Sequence, residues 1–285
     1  MWRQRPRRAG PAKANGIACL LPTLLFLPGT LCDARVWDGP CKALHRDWPC
    51  AFVDYRFENS ISAMAEEALA KVDGSIIPIG LSMGGIVALD IWRQAQDRVA
   101  ALALFDTDPG ADTPARRVKR DGQMASAARG DFREMIVSQL LPAYFSPAHS
   151  ADALLNAPEA SLRDTVVAMA LDQGAEAFAA QASALATRPD AWPLLASINV
   201  PTLIACGADD RICLPQTHIR MAVRLPLGTA TFRSIAAAGH LSPLEQPEAT
   251  TRVLQTWLNS LALRNGWGLP KLPGYSCPAK GRDEA

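Results

Sequence analysis

Short apolar runs alternate with amphipathic segments along this chain, and no other feature restricts its fold as strongly. Six runs have the length of buried strands, at residues 24–27, 51–55, 75–79, 99–105, 202–206 and 229–232. Four segments have the apolar spacing of amphipathic helices, at 61–72, 85–96, 216–224 and 247–263. Strands that alternate with helices pair in parallel through crossovers. We therefore expect an α/β fold, with a mostly parallel sheet flanked by helices on both faces.

The alternation is interrupted between residues 108 and 190, where helix-forming residues continue without strand-like runs. The simplest interpretation is a helical cap inserted into the sheet domain. We expect a basic N-terminal extension over 1–23, a core formed by 24–107 and 191–263, and the cap over 108–190. Residues 264–285 are rich in Gly and Pro, which predicts a flexible C-terminal tail.

The composition excludes several classes of protein. The chain has 285 residues, 49% of them hydrophobic, and 29 Lys and Arg against 28 Asp and Glu give a net charge of +1. This balance favours neither nucleic acid nor an anionic membrane as a partner. No run reaches the roughly 18 apolar residues of a membrane span. Seven cysteines without a CxxC pair indicate reduced thiols, and they argue against a disulfide framework or a zinc site.

The N-terminus raises the question of a targeting segment. Basic residues precede an apolar run at 17–27, and no acidic residue comes before Asp33, as in a secretory signal. However, Pro22 and Pro28 break that run, and it lacks a small-residue cleavage site. We therefore expect a cytoplasmic protein, with a targeting segment over 1–15 as the alternative.

A Gly-x-Ser-x-Gly pattern at Gly80–Gly84 is the strongest chemical signal. The apolar run before it and the amphipathic segment after it supply the strand, turn and helix of a nucleophile elbow, with Ser82 at the turn. The glycines leave room where side chains would meet the neighbouring strand and helix. The alternative is an ordinary glycine-rich turn that holds a phosphate at a helix N-terminus. Pro78 conflicts with a central strand, because it has no N–H to donate.

A serine hydroxyl needs a neighbouring base, itself oriented by a carboxylate, before it attacks a carbonyl. His240 follows the last apolar run, and both Asp209 and Asp210 follow the run at 202–206, so all lie where strands end. The chain order Ser, Asp, His is one in which open α/β sheets carry a catalytic triad. The other histidines are expected to be solvated or structural: His45, His149 and His218.

Two backbone N–H groups are candidates for an oxyanion hole. Thr30 lies in the sharp turn 27–31 after the first strand, and Met83 directly follows Ser82. Donors at these positions would point at a carbonyl oxygen attacked by the serine. A plain strand-to-loop turn is the alternative for Thr30.

Four stretches together resemble the α/β-hydrolase fold family in its esterase and lactonase branch, which includes pimeloyl-carrier-protein methyl ester esterases and 3-oxoadipate enol-lactonases. These stretches are residues 28–37, 80–85, 207–210 and 239–247. The resemblance implies that Ser82 is the nucleophile and His240 the base. It further implies that Asp210, in the fourth place of a Gly-x-x-Asp pattern, is the acid, and that Thr30 and Met83 are the oxyanion donors.

Two departures from the family pattern qualify this assignment. Pro28 stands where the family commonly has a histidine, so a hydrogen bond that would brace the oxyanion loop is expected to be missing. The portion before Leu24 is too short for the two usual leading strands, which predicts a sheet of about six or seven strands. Neither departure removes a candidate catalytic group.

We expect a serine hydrolase that cleaves a small-molecule carboxylic ester, thioester or lactone through an acyl-enzyme, without a cofactor or a metal. An acyltransferase or a C–C bond hydrolase could use the same triad, because these activities differ in pocket shape and acceptor access. The alternative from another class is a non-catalytic ligand-binding protein on the same fold. A fluorophosphonate probe for Ser82 would separate that class from the enzymes.

The predicted cap offers fewer clues about the substrate. A basic run at its start would suit an acidic carrier protein or a carboxylate, although charge runs are usually solvated helix faces. It consists of Arg116, Arg117, Lys119 and Arg120. Four apolar cap residues either line a site or, as we favour, pack in the core. They are Met135, Ile136, Met169 and Phe178.

Overall fold

The computed structural model describes residues 21–149 and 162–267. Most of the predicted N-terminal extension, part of the predicted cap and most of the predicted tail lie outside these ranges. The candidate site residues all lie inside them.

Six strands form one sheet in which every neighbouring pair is parallel. They are β1 (Thr23–Leu27), β2 (Cys50–Phe52), β3 (Ile76–Leu81), β4 (Leu102–Phe105), β5 (Thr202–Gly207) and β6 (Ala230–Ile235). Their spatial order is β2-β1-β3-β4-β5-β6, which places β3 and β4 at the centre. The predicted parallel α/β sheet is confirmed, and the described residues supply six of the six or seven expected strands.

Helices follow most of the strands and connect them. They are α1 (Asp38–Leu44), α2 (Ile61–Ala70), α3 (Met83–Gln94), α4 (Pro114–Ser126), α5 (Phe132–Met135), α6 (Leu141–Tyr144), α7 (Leu162–Ala186), α8 (Pro215–Arg224), α9 (Ser242–Glu245) and α10 (Pro247–Asn265). The helix predicted from residue 85 begins earlier, at Met83, because Ser82 is already its N-cap. The last helix continues to Asn265, where Gly266 ends it in a left-handed conformation with φ +64°.

Pro78 lies inside the central strand β3, and a bulge explains how the sheet tolerates it. Ile76 pairs with Val99, whereas Ile79 pairs with Ala103, so the partner shifts by one residue between the two pairs. The neighbouring segment that leads into β4 therefore has one residue more than the stretch of β3 that contains Pro78. Bulges are among the few places in a sheet that accommodate a residue without an N–H.

Two hydrophobic clusters cover the two faces of the sheet. In β1, Leu24 and Phe26 belong to one cluster, and Leu25 and Leu27 belong to the other, as the two-residue period of a strand requires. Residues of α1 and α10 pack in the first cluster, and residues of α2, α3 and α8 pack in the second. This double covering fixes the ends of the central strands, where the candidate residues lie.

The described parts of the segment between β4 and β5 are helical, apart from short connections. Gly130 and Gly174 interrupt the helices, with φ of +95° and +88°. All four apolar residues discussed above, Met135, Ile136, Met169 and Phe178, are buried in the cluster that also contains one face of the sheet. No helix in the described ranges has the length and apolar character needed to cross a membrane.

Candidate active site

Ser82 lies in the tight turn between β3 and α3, where its backbone φ is +52°. Few non-glycine residues adopt this region, and they do so at a cost in strain. A Cβ on Gly80 would collide with the backbone of Gly84, and a Cβ on Gly84 would collide with the carbonyl of Leu27. Both glycines are therefore needed for β3, α3 and β1 to approach one another, and the turn has the form expected of a nucleophile elbow.

Three predicted residues from three different loops meet at the carboxyl edge of the sheet. Ser82 Oγ lies 2.9 Å from His240 Nε2, and His240 Nδ1 lies 2.9 Å from Asp210 Oδ2. Both distances fit hydrogen bonds. Asp210 and His240 are buried, whereas the side chain of Asp209 is exposed and takes no part in this contact. Such a chain of hydrogen bonds can pass a proton from a serine hydroxyl to an imidazole.

The charges of this group support that transfer. Burial acts to raise the pKa of Asp210, but His240 and the N–H groups of Ile212 and Cys213 outweigh it, so that pKa lies below its ordinary value. The two N–H groups donate to Oδ1 at 2.8 and 3.0 Å. Burial acts to lower the pKa of His240, but the adjacent Asp210 carboxylate raises it above its ordinary value. An ionised Asp210 therefore stabilises the protonated imidazole.

Asp106 is a further buried carboxyl group at this edge, and the sequence analysis missed it. Its Oδ1 accepts the N–H of Gly207 at 2.7 Å, and its Oδ2 lies 2.5 Å from the hydroxyl oxygen of Ser242. It thereby joins the end of β5, which precedes Asp210, to the loop that carries His240. Burial and then the charge of Asp210 raise the pKa of Asp106 well above its ordinary value. Its position directly after an apolar run was the available sequence signal.

The candidate oxyanion donors, Thr30 and Met83, border the same cavity as Ser82. Within the described ranges, no acceptor takes the N–H of Thr30 or of Met83. The N–H of Leu31, by contrast, donates to Gln181 Oε1 of α7 at 2.8 Å. Two N–H groups beside the serine are thus available to a carbonyl oxygen, and a cap side chain holds the next residue of the loop.

The oxyanion loop is braced despite the proline at position 28. Pro28 cannot supply the hydrogen bond of a histidine side chain, but the Tyr55 hydroxyl donates to the Pro28 carbonyl at 2.5 Å. Burial raises the pKa of Tyr55 well above its ordinary value, so the hydroxyl keeps its proton. The brace comes from the end of the neighbouring strand region, which a local sequence motif does not reveal.

The loop that carries His240 is held by the cap segment and by a second buried acid. The Glu245 carboxylate accepts the N–H groups of Gly239 and Ser146, both at 2.8 Å. The N–H of His240 itself donates to the carbonyl of Tyr144 at 2.7 Å. These bonds fix the backbone on both sides of the imidazole.

The other three histidines lie outside this group. His218 is buried, and its Nε2 accepts the N–H of Thr107 at 2.9 Å, which is a structural role. Burial lowers the pKa of His218, which favours the neutral form that this bond requires. His149 Nδ1 lies 3.4 Å from Glu245 Oε2, and His45 is exposed.

A model of the alpha/beta hydrolase family matches residues 2–253 of the chain. The chain belongs to that family. The match includes both halves of the sheet and all the residues described above, from Thr30 to His240.

The chain is similar to several proteins that have a named activity. A pimeloyl-[acyl-carrier protein] methyl ester esterase from Neisseria meningitidis is 26% identical over 76% of this chain and 83% of its own. A 2-succinyl-6-hydroxy-2,4-cyclohexadiene-1-carboxylate synthase from Serratia proteamaculans is 28% identical over 83% and 93%. The structure of a thermophilic esterase from Thermogutta terrifontis superposes with a TM-score of 0.73 and 29% identity, over 85% of this chain and 90% of that one.

A cavity of about 370 Å³ opens beside Ser82 in this hydrolase. It is within the size range of small-molecule sites. His240 and the two candidate oxyanion residues border it, and Phe178 of the cap lines it as well. Of the four apolar cap residues considered from the sequence, Phe178 alone lines this cavity, and all four pack in the core.

One group of side chains in the described ranges has the composition of a metal site. Ligand atoms of Asp210, Cys213 and His240 lie within 4.8 Å of one another. However, the first and last of these are hydrogen-bonded to each other, and burial raises the pKa of the Cys213 thiol well above its ordinary value. The donors therefore fit an acid–base pair better than a cation site, which would need a thiolate and a free imidazole nitrogen.

Proposed function

We propose that this hydrolase cleaves a carboxylic ester, thioester or lactone through a covalent acyl-enzyme formed on Ser82. The observation that carries the proposal is the continuous chain of hydrogen bonds from Ser82 Oγ through His240 to Asp210. A neutral serine becomes a nucleophile when a base removes its proton during attack, and this geometry supplies the base and its orienting acid.

In the first half of the reaction, Ser82 Oγ forms a bond to the carbonyl carbon, and its proton moves to His240 Nε2. The carbonyl π electrons move onto the oxygen, and the N–H groups of Thr30 and Met83 stabilise the resulting negative charge by donating hydrogen bonds to it. When the tetrahedral adduct collapses, the bond to the leaving oxygen or sulfur breaks, and His240 returns the proton to the leaving group. Water then repeats the sequence on the acyl-serine and releases the acid.

A cavity of small-molecule size beside Ser82 supports a low-molecular-weight substrate. We propose a cytoplasmic location as well. The chain has seven cysteines and no CxxC pair, which we interpret as reduced thiols, and thiols stay reduced in the cytoplasm.

Covalent labelling tests the proposal. The intact protein is treated with a fluorophosphonate, and the modified peptide is identified by mass spectrometry. We expect one adduct on Ser82 and a burst of p-nitrophenol from an activated ester whose deacylation is slow. The matched control is Ser138→Ala, which removes an exposed cap serine and should leave labelling unchanged. Labelling elsewhere, or ester turnover that persists without Ser82, would reject the acyl-enzyme.

A synthase is among the relatives. The second candidate is therefore a reaction other than ester hydrolysis that uses the same groups. An acyltransferase would retain the Ser82–His240 pair but would pass the acyl group to an acceptor other than water, whereas a C–C bond hydrolase would use the same pair and water on a carbon–carbon bond. Adding alcohol or thiol acceptors during ester turnover separates the transferase from a hydrolase. A hydrolase yields free acid throughout, whereas a transferase yields mainly the exchanged ester or thioester.

A further inference from the structure

The cavity beside Ser82 has an unusually basic wall. Five of its lining side chains are cationic, and they come from three separate parts of the chain: Arg116, Lys119 and Arg120 on α4, Arg188 after α7, and Arg211 after β5. The α4 residues form a run in the sequence, whereas Arg188 and Arg211 are distant from it along the chain. Arg117, which belongs to the same run, is exposed and does not line the cavity.

Two carboxylates account for part of this charge. Asp112 is buried and pairs with Arg120 Nε at 2.6 Å and with Arg188 Nη1 at 2.7 Å. Asp108 lines the cavity and pairs with Arg116 Nη1 at 2.8 Å. Five cations against two carboxylates leave an excess of three positive charges around a space of small-molecule size.

The remaining positive groups are available to a ligand. In the ranges that the structure describes, neither Lys119 nor Arg211 has a carboxylate partner, and Arg116 uses only one of its three nitrogens on Asp108. Arg188 is buried, and burial is the main cause that lowers its pKa, with the charge of Asp112 acting against it and that of Arg120 adding to it. An anion placed in the cavity would gain charge-assisted hydrogen bonds from the cations that lack a carboxylate partner.

We propose that the acyl part of the substrate carries a free carboxylate, bound by Lys119 and Arg211 with help from Arg116, while its ester carbonyl lies at Ser82. This inference rests on the proposed function, because it assigns the substrate class for the same site. Lys119 and Arg211 are exposed, and both line the cavity of the nucleophile together with Arg116. That placement favours a small dicarboxylic half-ester over an acidic protein surface.

The first test compares esters that differ only in this charge. Methanol release is measured for monomethyl adipate, for the corresponding neutral primary amide and for methyl hexanoate. We expect kcat/KM for the half-ester to exceed both neutral values by about tenfold or more, as for a charge-assisted contact in a partly enclosed site. Added salt should reduce this ratio, because it screens exposed charges. Equal or higher rates for the neutral esters would overturn the inference.

Variants then test the residues that are named. Lys119→Met and Arg211→Gln should each lower the ratio of half-ester to neutral-ester kcat/KM by about tenfold, and Lys119→Glu should reverse the preference. The matched control is Arg117→Gln, a neighbouring cation outside the cavity, which should leave the ratio unchanged. An equal fall in Arg117→Gln would indicate a diffuse field and not a binding site.

The remaining arms separate the sources of failure. If a coenzyme A thioester of a neutral acid depends on Lys119 and Arg211 while the half-ester does not, the anion belongs to the leaving group and the inference is wrong. If no ester is turned over, the proposed function fails on its own. Calorimetric binding of adipate and of adipamide to Ser82→Ala, with and without Lys119→Met, then decides the charge preference without any turnover. Preferential binding of adipate that is lost with Lys119 supports the inference, and equal binding refutes it.

Discussion

The carboxyl edge of the sheet and the cap wall face each other across one cavity, and they treat charge in opposite ways. At the edge, the Asp210 carboxylate is met by two N–H groups and an imidazole. At the wall, Lys119 of the cap has no carboxylate partner in the described ranges, and neither has Arg211, which follows Asp210 on the loop after β5. A closed set of hydrogen bonds holds reacting atoms at fixed distances, whereas unpaired charge selects what approaches them. We infer that the hydrogen-bonded edge carries out the chemistry, and that the cations of the cap, together with Arg211 from the loop after β5, select the substrate.

The edge is most directly broken at Ser82. Ser82→Ala removes the nucleophile while leaving the packing intact, so kcat/KM on p-nitrophenyl butyrate should fall by about 10⁴-fold or more with an unchanged thermal midpoint. Steady-state kinetics and circular dichroism provide both measurements. Activity within about tenfold of the parent would move the chemistry to another residue.

The two adjacent aspartates offer a matched pair of variants. Asp210→Asn replaces the acceptor of the His240 Nδ1 proton, and we expect a loss of about 10³- to 10⁴-fold in the acylation rate. Asp209→Asn changes an exposed side chain outside the hydrogen-bond chain, and we expect a change of less than about threefold. Pre-steady-state release of p-nitrophenol measures both. The opposite ranking would shift the acid by one position.

The dependence on pH sharpens the assignment of the base. Neutral His240 takes the proton, so kcat/KM should rise with pH and level off above the pKa of that imidazole. Because Asp210 raises this pKa, the midpoint should lie above the ordinary histidine value of about 6.5. In Asp210→Asn the residual activity should show its midpoint at lower pH, since burial then acts without the carboxylate. Identical midpoints in the two proteins would contradict the role of Asp210.

The smallest expected effect concerns Asp106, whose pKa burial and the charge of Asp210 raise well above its ordinary value. Asp106→Asn keeps a polar side chain whose amide oxygen can still accept the N–H of Gly207, so we expect kcat/KM within about fivefold of the parent. Asp106→Leu leaves the buried N–H of Gly207 without an acceptor, which should cost about 1–3 kcal/mol of folding free energy. Thermal melts and the pH profile together test this. A large activity loss in Asp106→Asn alone would mean that the negative charge of this carboxyl group contributes to catalysis.

The sequence predicted the residues whose signals are local. Ser82 was found because strand, turn, glycines and helix are contiguous, and His240 because it follows a strand in a chain with only four histidines. Asp106 and Gln181 were missed because their roles depend on contacts across more than a hundred residues, to Ser242 and Leu31. No short motif records such distances.

In the cap, too, the sequence could not predict which side chains reach the cavity. Helical composition predicted the insertion, but the pattern could not tell that Phe178 lines the cavity while Met169, in the same core cluster, does not. Similarly, the basic run on α4 contains both lining residues and the outward-facing Arg117. Helix rotation decides these cases, and it is set by packing against the sheet and not by local sequence.

The hydrogen bonds from the cap to the loops below it have a consequence for recombining this protein with its relatives. Gln181 accepts the N–H of Leu31, and the Tyr144 carbonyl accepts the N–H of His240, so two loops of the sheet domain end on cap atoms. Exchanging the whole cap would leave both N–H groups without an acceptor, unless the incoming segment supplies a carbonyl or amide oxygen at each place. A chimaera that exchanges the whole cap therefore changes the substrate specificity and the alignment of the reacting groups together. Substituting single residues of the cavity wall changes the specificity alone.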